Sequence, residues 1–365
     1  MSMNLSHGRL TRWGRSYGAW ILVVLLAYFA WVKLRGPHYD IAEVFQPGVT
    51  LETHGSALND RGEVVGQFKG KPAQDGKVYR EGIFVFAQGS FKELPMPVHP
   101  DGVRYVHLTA INSHSKIVGH FQTTAAGEPI PGSFLIEDGQ VRMDRPWSTG
   151  YSAIDINDAG DVVANGEIKV PCDVFDFTAT TPPSMPPPTK TGQCRKPAVM
   201  VERNGKVEIV TENYARPTGI GPTGQVIHAI SQGEEASGIN GLGEVVGQRL
   251  SRGRFRAFIR DSSGVVRDLP VGNSESKAID INDKGVVIGE LYHSLPISPF
   301  PVAMGWRTPF VFRDGQVHSL ARLAGFHWNW DVYIEPVKIN NLGQILINVS
   351  QGGDVRKSLL LTPRT

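Results

Sequence analysis

Cysteine is nearly missing from this chain of 365 residues: there are two, Cys172 and Cys194. Two thiols cannot form a zinc site alone, and neither lies in a C-x-x-C pair, so dithiol redox chemistry has no support. A charge surplus is missing too. The chain has 37 Lys and Arg against 35 Asp and Glu, a formal net charge of +2, and no global field argues for nucleic acid. There is no G-x-S-x-G elbow, no H-E-x-x-H pair and no P-loop. The histidines are scattered; His54, His107, His228 and His318 fall near expected strand ends, but no pair has metal-ligand spacing. No cofactor and no metal are expected.

Long hydrophobic runs are missing after residue 35, which makes the one before it conspicuous. "YGAWILVVLLAYFAWVKL", from Tyr17 to Leu34, carries a single charge, Lys33. About 17 to 25 apolar residues span a bilayer as a helix. Trp20 and Trp31 sit near the two edges, where interfacial aromatics belong. Arg9, Arg12 and Arg15 precede the run, and the slight excess of positive charge on that side favours a cytoplasmic N-terminus. The run is long for a signal-peptide core, and Tyr28-Phe29-Ala30 puts a bulky ring where signal cleavage needs a small residue, so an uncleaved anchor is expected. The expected organisation is a cytoplasmic tail at 1–16, a transmembrane anchor at 17–35, and a single domain at 36–365 in the periplasm or outside the cell. There an oxidising environment suits a disulfide. Cys172 and Cys194 flank the Pro-rich stretch "CDVFDFTATTPPSMPPPTKTGQC", which predicts an insertion over 170–196 closed at its base by a Cys172–Cys194 bond.

The rest is abundant in turn formers, with 41 Gly and 25 Pro, and it repeats. "ALNDRGEVVGQF" from Ala57, "AINSHSKIVGHF" from Ala110, "DINDAGDVVANGE" from Asp155, "GIGPTGQVIHAI" from Gly219, "GINGLGEVVGQR" from Gly238, "DINDKGVVIGEL" from Asp280 and "KINNLGQILINV" from Lys338 share apolar-Asn-x-x-Gly-x-apolar-apolar. Asn at the first turn position accepts from nearby backbone amides, and Gly at the fourth takes the left-handed conformation that closes a hairpin. A second strand pair follows most of these cores, as in "GIFVFAQGSFKEL" and "PFVFRDGQVHSL". Four short antiparallel strands per unit of about forty residues predict propeller blades. Two units depart from the pattern. The second has Ser115 in place of Gly. The fourth has Gly221 in place of Asn and no room for a second hairpin, so it reads as a two-stranded blade or an extra hairpin. The fold class is therefore all-β, a propeller of six or seven blades with one short, behind an N-terminal transmembrane helix.

These Asn-x-x-Gly-x-Val-Val-Gly cores, with Arg256-Ala257-Phe258, resemble the HAF-type extracellular repeat proteins of bacteria over essentially everything from residue 38. The naming His-Ala-Phe triplet is not intact in this chain. The resemblance implies an exported β-propeller and carries no defined reaction.

The repeat also decides several local signals. "DINDKG" from Asp280 offers oxygens at Asp280 and Asn282 but then Lys284, which fails a calcium loop and leaves a structural turn. "GIGPTG" from Gly219 matches G-x-G-x-x-G, but it falls in the turn register and precedes a strand, whereas the dinucleotide fingerprint needs a helix. Arg252, Arg254 and Arg256 are two apart, so one strand would place them on one face. That face is either a solvated outer strand or a contact for an anionic partner such as lipid headgroups or an acidic glycan. Trp306, Trp328, Trp330 and Tyr333 occupy two lengthened connections; they either stack on sugar rings or a protein partner, or cap the ring.

No catalytic residue stands out. The expected function is a membrane-anchored extracytoplasmic binding or scaffolding module, with a protein partner or a membrane complex as its context. The other reading is a hydrolase or lyase acting on glycans or lactones through carboxylates that separate blades bring to the channel. At the end of the chain only three strands remain for the last unit. "HYDIAEVFQPG" from His38 is expected to supply the fourth, with Tyr39–Phe45 antiparallel to Ser358–Leu361.

Overall fold

The computed structural model describes residues 38–72, 79–124, 130–175, 189–210, 217–228, 234–297, 302–326, 332–351 and 355–364. The expected tail and membrane anchor lie outside the described residues. Among those described, no helix is long and apolar enough to cross a membrane.

The chain folds into six four-stranded antiparallel sheets and one two-stranded sheet. Blade one is β2 (Thr50–Leu58), β3 (Val64–Pro72), β4 (Tyr79–Ala87) and β5 (Ser90–Glu93). Blade two is β6 (Val103–Ile111), β7 (Ile117–Thr123), β8 (Pro131–Glu137) and β9 (Gln140–Arg142). Blade three is β10 (Tyr151–Ile156), β11 (Val162–Phe175), β12 (Thr189–Arg203) and β13 (Lys206–Val210). The short unit follows as β14 (Pro217–Ile220) and β15 (Val226–His228). Blade four is β16 (Glu234–Ile239), β17 (Val245–Ser251), β18 (Arg254–Arg260) and β19 (Val266–Asp268). Blade five is β20 (Glu275–Ile281), β21 (Val287–Ile297), β22 (Val302–Arg313) and β23 (Gln316–Ser319), followed by the short helix α1 (Leu320–Ala324). Blade six takes β24 (Val332–Ile339), β25 (Ile345–Gln351) and β26 (Val355–Pro363), and its outermost strand is β1 (Tyr39–Val44) from the other end of the chain. Ile41 lies opposite Leu361 and Val44 opposite Ser358, the expected closure. This is a six-bladed β-propeller with a hairpin wedged between blades three and four. On one side of that hairpin Ile220 and Val226 pack on Val163, Val199 and Val201; on the other Ile227 packs on Ala236 and Val245.

Packing explains the fainter half of the repeat. Phe84, Phe134, Phe258 and Phe310 each stand on the third strand of a blade and are fully buried. Apolar faces of neighbouring blades then close on one another, as where Ala110, Val118 and Leu135 of blade two meet Tyr151, Ala153 and Met200 of blade three. Each fully buried large side chain contributes about 1.5–3 kcal/mol relative to exposure.

The two faces of the ring differ. One face carries the Asn turns and tight two-residue turns such as Asp138-Gly139 and Asp314-Gly315, where both residues have positive φ, as a type I′ hairpin requires. On this turn face no connection exceeds five residues. Every longer connection leaves from the opposite, loop face, and there β11–β12 and β21–β22 also extend past their blades. Because β1 runs antiparallel to β26, its first residue, Tyr39, lies beside Pro363 at the turn face.

The Pro-rich insertion departs from expectation. Strand pairing continues from Val162–Glu202 out to Phe175–Thr189, so the flanks form a long two-stranded arm. Cys172 and Cys194 are bonded, with Cα atoms 5.7 Å apart. The expected bond is present and ties the outer part of this arm, where Cys172 faces Gly192 and Val170 faces Cys194; the Pro-rich residues 176–188 that it brackets lie outside the described residues.

Candidate functional site

The site is built from the repeat turn. In each four-stranded blade the two ends of the turn Asn side-chain amide do separate jobs. Asn282 Oδ1 accepts from the amides of Lys284 (3.1 Å) and Val286 (3.0 Å), which holds its own turn. Its Nδ2 donates to the carbonyl of Asn340 in the next blade at 3.0 Å. The same bond runs from Asn340 to Asn59 (2.9 Å), Asn59 to Asn112 (2.9 Å), Asn112 to Asn157 (3.0 Å), Asn157 to Gly221 (3.0 Å) and Asn240 to Asn282 (3.1 Å). These six bonds form a belt around the turn face, interrupted only after Gly221, which has no side chain to pass it on. At Ser115 the backbone still adopts φ 60; the hydroxyl side chain accepts the left-handed conformation that Gly takes elsewhere.

Inside the belt, each inner strand carries a bulge just before the residue two positions ahead of the turn. A bulge re-aims the side chain that follows it. These re-aimed positions are Ala57, Ala110, Asp155, Gly219, Gly238, Asp280 and Lys338. Most of them line a cavity of about 410 Å³ at the turn-face mouth of the channel, ringed by Asp60, Asp158, Asp283 and Asn341. A β-carbon on Gly238 would stand 2.8 Å from Asp280 Oδ1, and one on Gly219 3.0 Å from Asp155 Oδ2. Glycine there leaves the two carboxylates their space.

Asp155 accepts from the amides of Ile156 and Ile220, both at 2.9 Å. Asp280 accepts from Ile339 N at 2.9 Å, and its other oxygen is 3.6 Å from Lys338 Nζ. Burial raises the pKa of both carboxyls, and Lys338 only partly offsets it. Lys338 itself is raised, chiefly by the charge of Asp280. By area its side chain is 37% accessible, against 7% for Asp280; protein surrounds the ammonium, but the channel stays open to water. The rim carboxylates are engaged as well. Asp158 accepts from Ser113 N, Asp283 from Gly241 N, and Asp60 from both Asn341 N and its side-chain amide.

Lys338→Met leaves the buried Asp280 without its countercharge. Losing one partner of a fully buried pair costs about 3–5 kcal/mol. Because Lys338 keeps contact with channel water, about 1–2 kcal/mol is expected here. A carboxyl with a raised folded pKa stabilises the fold most at low pH and loses that contribution as pH rises through the folded value. Thermal melts should therefore show a larger deficit for the variant at pH 8 than at pH 5; an equal deficit at both would mean the lysine acts by packing alone.

A second polar tier lies three residues earlier on the inner strands. The cross-strand pairs are His54–Gln67, His107–His120, Ser152–Asn165, Glu235–Gln248, Lys277–Glu290 and Glu335–Asn348, one per blade. Glu290 is buried and takes Tyr333 Oη at 2.9 Å and Arg307 Nη1 at 3.2 Å. Burial and then the Glu290 charge push the Tyr333 phenol up to about 12. Among the described residues no three His, Cys, Asp or Glu side chains are grouped to hold a metal ion.

The residues singled out in the sequence lie elsewhere, at the loop face. Arg252 is not on a strand with the other two arginines. It occupies the β17–β18 turn with φ 53, because the hairpin there needs a left-handed residue. Arg254 and Arg256 do share a face of β18, and they donate to the carbonyls of Asn273 and Gly272 in the connection to blade five. Trp306 stacks on His293 across the β21–β22 arm, with centroids 5.1 Å apart. Arg307 beside it packs over Tyr292 (5.1 Å) and Tyr333 (5.9 Å). Trp328 and Trp330 lie outside the described residues. Sequence reading missed Asp155, Lys338 and the polar tier. For Asp155 and Lys338 the signal was the residue two before the turn Asn: Ala or Gly in four units, but charged in three.

No family model matches the chain, and no curated protein sequence matches it. Solved structures do. An acylaminoacyl peptidase from Pyrococcus horikoshii matches with a TM-score of 0.51 and 12% identity, over 87% of this chain and 53% of that one. An acylaminoacyl peptidase in complex with Z-Gly-Gly-Phe-chloromethyl ketone matches with a TM-score of 0.50 and 11% identity, over 86% of this chain and 51% of that one. The likeness is one of fold. This chain spans about half the length of either peptidase.

Proposed function

We propose that this chain is a binding or scaffolding module of the HAF-repeat type, held at the outer side of a membrane by a helix at residues 17–35. The observation that carries the reading is the asymmetry of the ring. The turn face is braced by the Asn belt, and its carboxylates accept hydrogen bonds from neighbouring blades. Groups already committed in this way hold the ring together and are poorly placed for acid-base work. The loop face has the long connections, the disulfide-tied arm and the Trp306–Arg307–Tyr333 cluster, and binding residues gather on loops carried by a rigid scaffold. Since β1 starts at the turn face, an anchor before it turns that face to the bilayer and presents the loop face outward.

Affinity capture of the full chain from gently solubilised membranes tests this. A partner recovered with the wild type should be lost with Trp306→Ala combined with Tyr333→Ala and retained with Asp158→Asn at the opposite face. Loss with Asp158→Asn alone would overturn the assignment of faces. Raised salt should weaken capture only if Arg252, which is exposed at a loop-face turn, meets an anionic partner.

A second reading rests on Asp155, a carboxyl with a raised pKa in an open cavity, the setting of a general acid. It makes the chain a glycan or lactone hydrolase or lyase. Turnover of lactone or glycoside substrates by the wild type, abolished in Asp155→Asn, would establish it over the binding module.

A further inference from the structure

The seam where blade six meets blade one is a buried polar network. Asn348 Oδ1 accepts from Gly55 N at 3.0 Å and from Ser358 Oγ at 2.8 Å. Asn348 Nδ2 donates to Gly55 O at 3.1 Å. Ser358 N donates to Thr53 Oγ1 at 3.0 Å. Asn348, Ser358 and Thr53 are all buried.

These contacts fix the amide: its oxygen end takes two donors, so its NH₂ end faces His54, whose Nε2 lies 3.4 Å away. A donor pointed at Nε2 suits a neutral ring with its lone pair there; a protonated ring would set N–H against N–H. From blade six, Glu335 favours the charged ring, while Arg356 opposes it; from blade two, His107 opposes it as well. Gln67, across the strand on β3, is neutral. Burial outweighs Glu335 and holds His54 below its ordinary value. In blade two the rings of His107 and His120 are 5.5 Å apart. His120 is lowered by burial and then by His107, and among the described residues its buried Nδ1 has no hydrogen-bond partner.

We propose that His54 makes the closure seam an acid-sensitive latch, closed while its ring is neutral and loosened between blades six and one as it gains a proton. The sign follows from linkage. A histidine whose folded pKa is depressed contributes fully above its unfolded value of about 6.5, and that contribution is lost as pH falls from there toward the folded value. Asp155 and Asp280 run the other way, because their folded pKa values are raised. A global melt therefore mixes opposite effects, and a local readout is needed.

Amide hydrogen exchange on the full chain in detergent, at pH 7.5 and 5.5 and corrected for intrinsic rates, supplies it. Peptides from β2 and β26 should lose several-fold in protection at pH 5.5, up to a ceiling of about tenfold because that pH lies about one unit below the unfolded histidine value, while peptides from β18 in blade four should not. His54→Gln, a neutral side chain that can offer its oxygen to Asn348, should keep the seam protected at pH 5.5. Equal loss at the seam and in blade four, or the same seam loss in His54→Gln as in the wild type, overturns the proposal. Should the variant fail to fold, the wild-type comparison of the two blades decides alone.

Discussion

Deleting residues 38–46 is expected to destabilise the whole ring, lowering its melting temperature by about 10–20 °C. The segment contains β1, which buries Tyr39 and Val44 almost completely. Tyr39 packs in one cluster with Leu320, Leu323, Ile345 and Leu361. Val44 packs in another with Leu58, Phe84, Leu346 and Leu360, so the strand ties blade six to both α1 and blade one. The same strand is held at its start by His38 N to Leu323 O (2.8 Å) and Arg364 N to His38 O (2.9 Å). Two buried side chains contribute about 1.5–3 kcal/mol each. The deletion also uncovers their neighbours and bares the outer edge of β26, whose backbone groups then compete for other strands. A loss on the order of 5 kcal/mol follows, at about 2–4 °C per kcal/mol for a large domain. If the deleted chain melts at the wild-type temperature, β1 is a linker and the ring closes without it.

Gly247→Ala should cost roughly 3 kcal/mol, at the upper end of ordinary overpacking. Gly66, Gly119, Gly247 and Gly289 occupy the same place on the second strand of four blades, each opposite the residue just before the inner-strand bulge. A β-carbon on Gly247 would run into the carbonyl oxygen of Glu235 and stand 2.9 Å from Ala236 Cα. Both obstacles are backbone, so no rotamer relieves them. Relief requires the bulge to shift, and with it Gly238 and the channel-lining position. Blades three and six bury Ala164 and Ile347 at this place, so the need for glycine belongs to these four bulges and not to the fold in general. Gly305→Ala is the control: among the described residues its added carbon would meet just the His293 carbonyl oxygen, at an ordinary 3.6 Å, and it should stay within about 0.5 kcal/mol of wild type. Chemical denaturation of the two variants side by side makes the comparison; equal stability would remove the bulge argument.

Much of this architecture is local chemistry and so was legible in the chain. Asn followed by Gly three residues later specifies a turn through contacts that span four residues, as Asn282 shows with Lys284 and Val286. Alternating apolar runs specify strands, and their recurrence specifies blades. Even the closure followed, because the segment before the first turn carries the pattern of a fourth strand, and β1 pairs with β26 as expected. The extent of the strand arms did not follow. Pairing runs from Glu167–Pro197 out to Phe175–Thr189; Glu167 to Val170 alternates, but Pro171 interrupts the run and the partner segment Thr189–Pro197 is polar without alternation, so the stretch reads as a loop.

The channel was hidden for a different reason. Asp155, Asp280 and Lys338 are 125 and 58 residues apart in the chain and meet only because the blades close a ring around them. Their aim depends on a bulge, a two-against-one register shift that no side-chain pattern announces. The same turn Asn that reads as a local cap also donates to the next blade, a second role that exists only once a neighbour is present. The chain by itself thus determined the turns, the strands and the closing strand, since each rests on contacts within a unit or on the pattern of a unit; that the short hairpin is a wedge in a six-bladed ring came from the structure. The tertiary structure alone decided which charges share the channel, which face is braced and which carries the long loops, because those depend on the direction in which each strand crosses the ring.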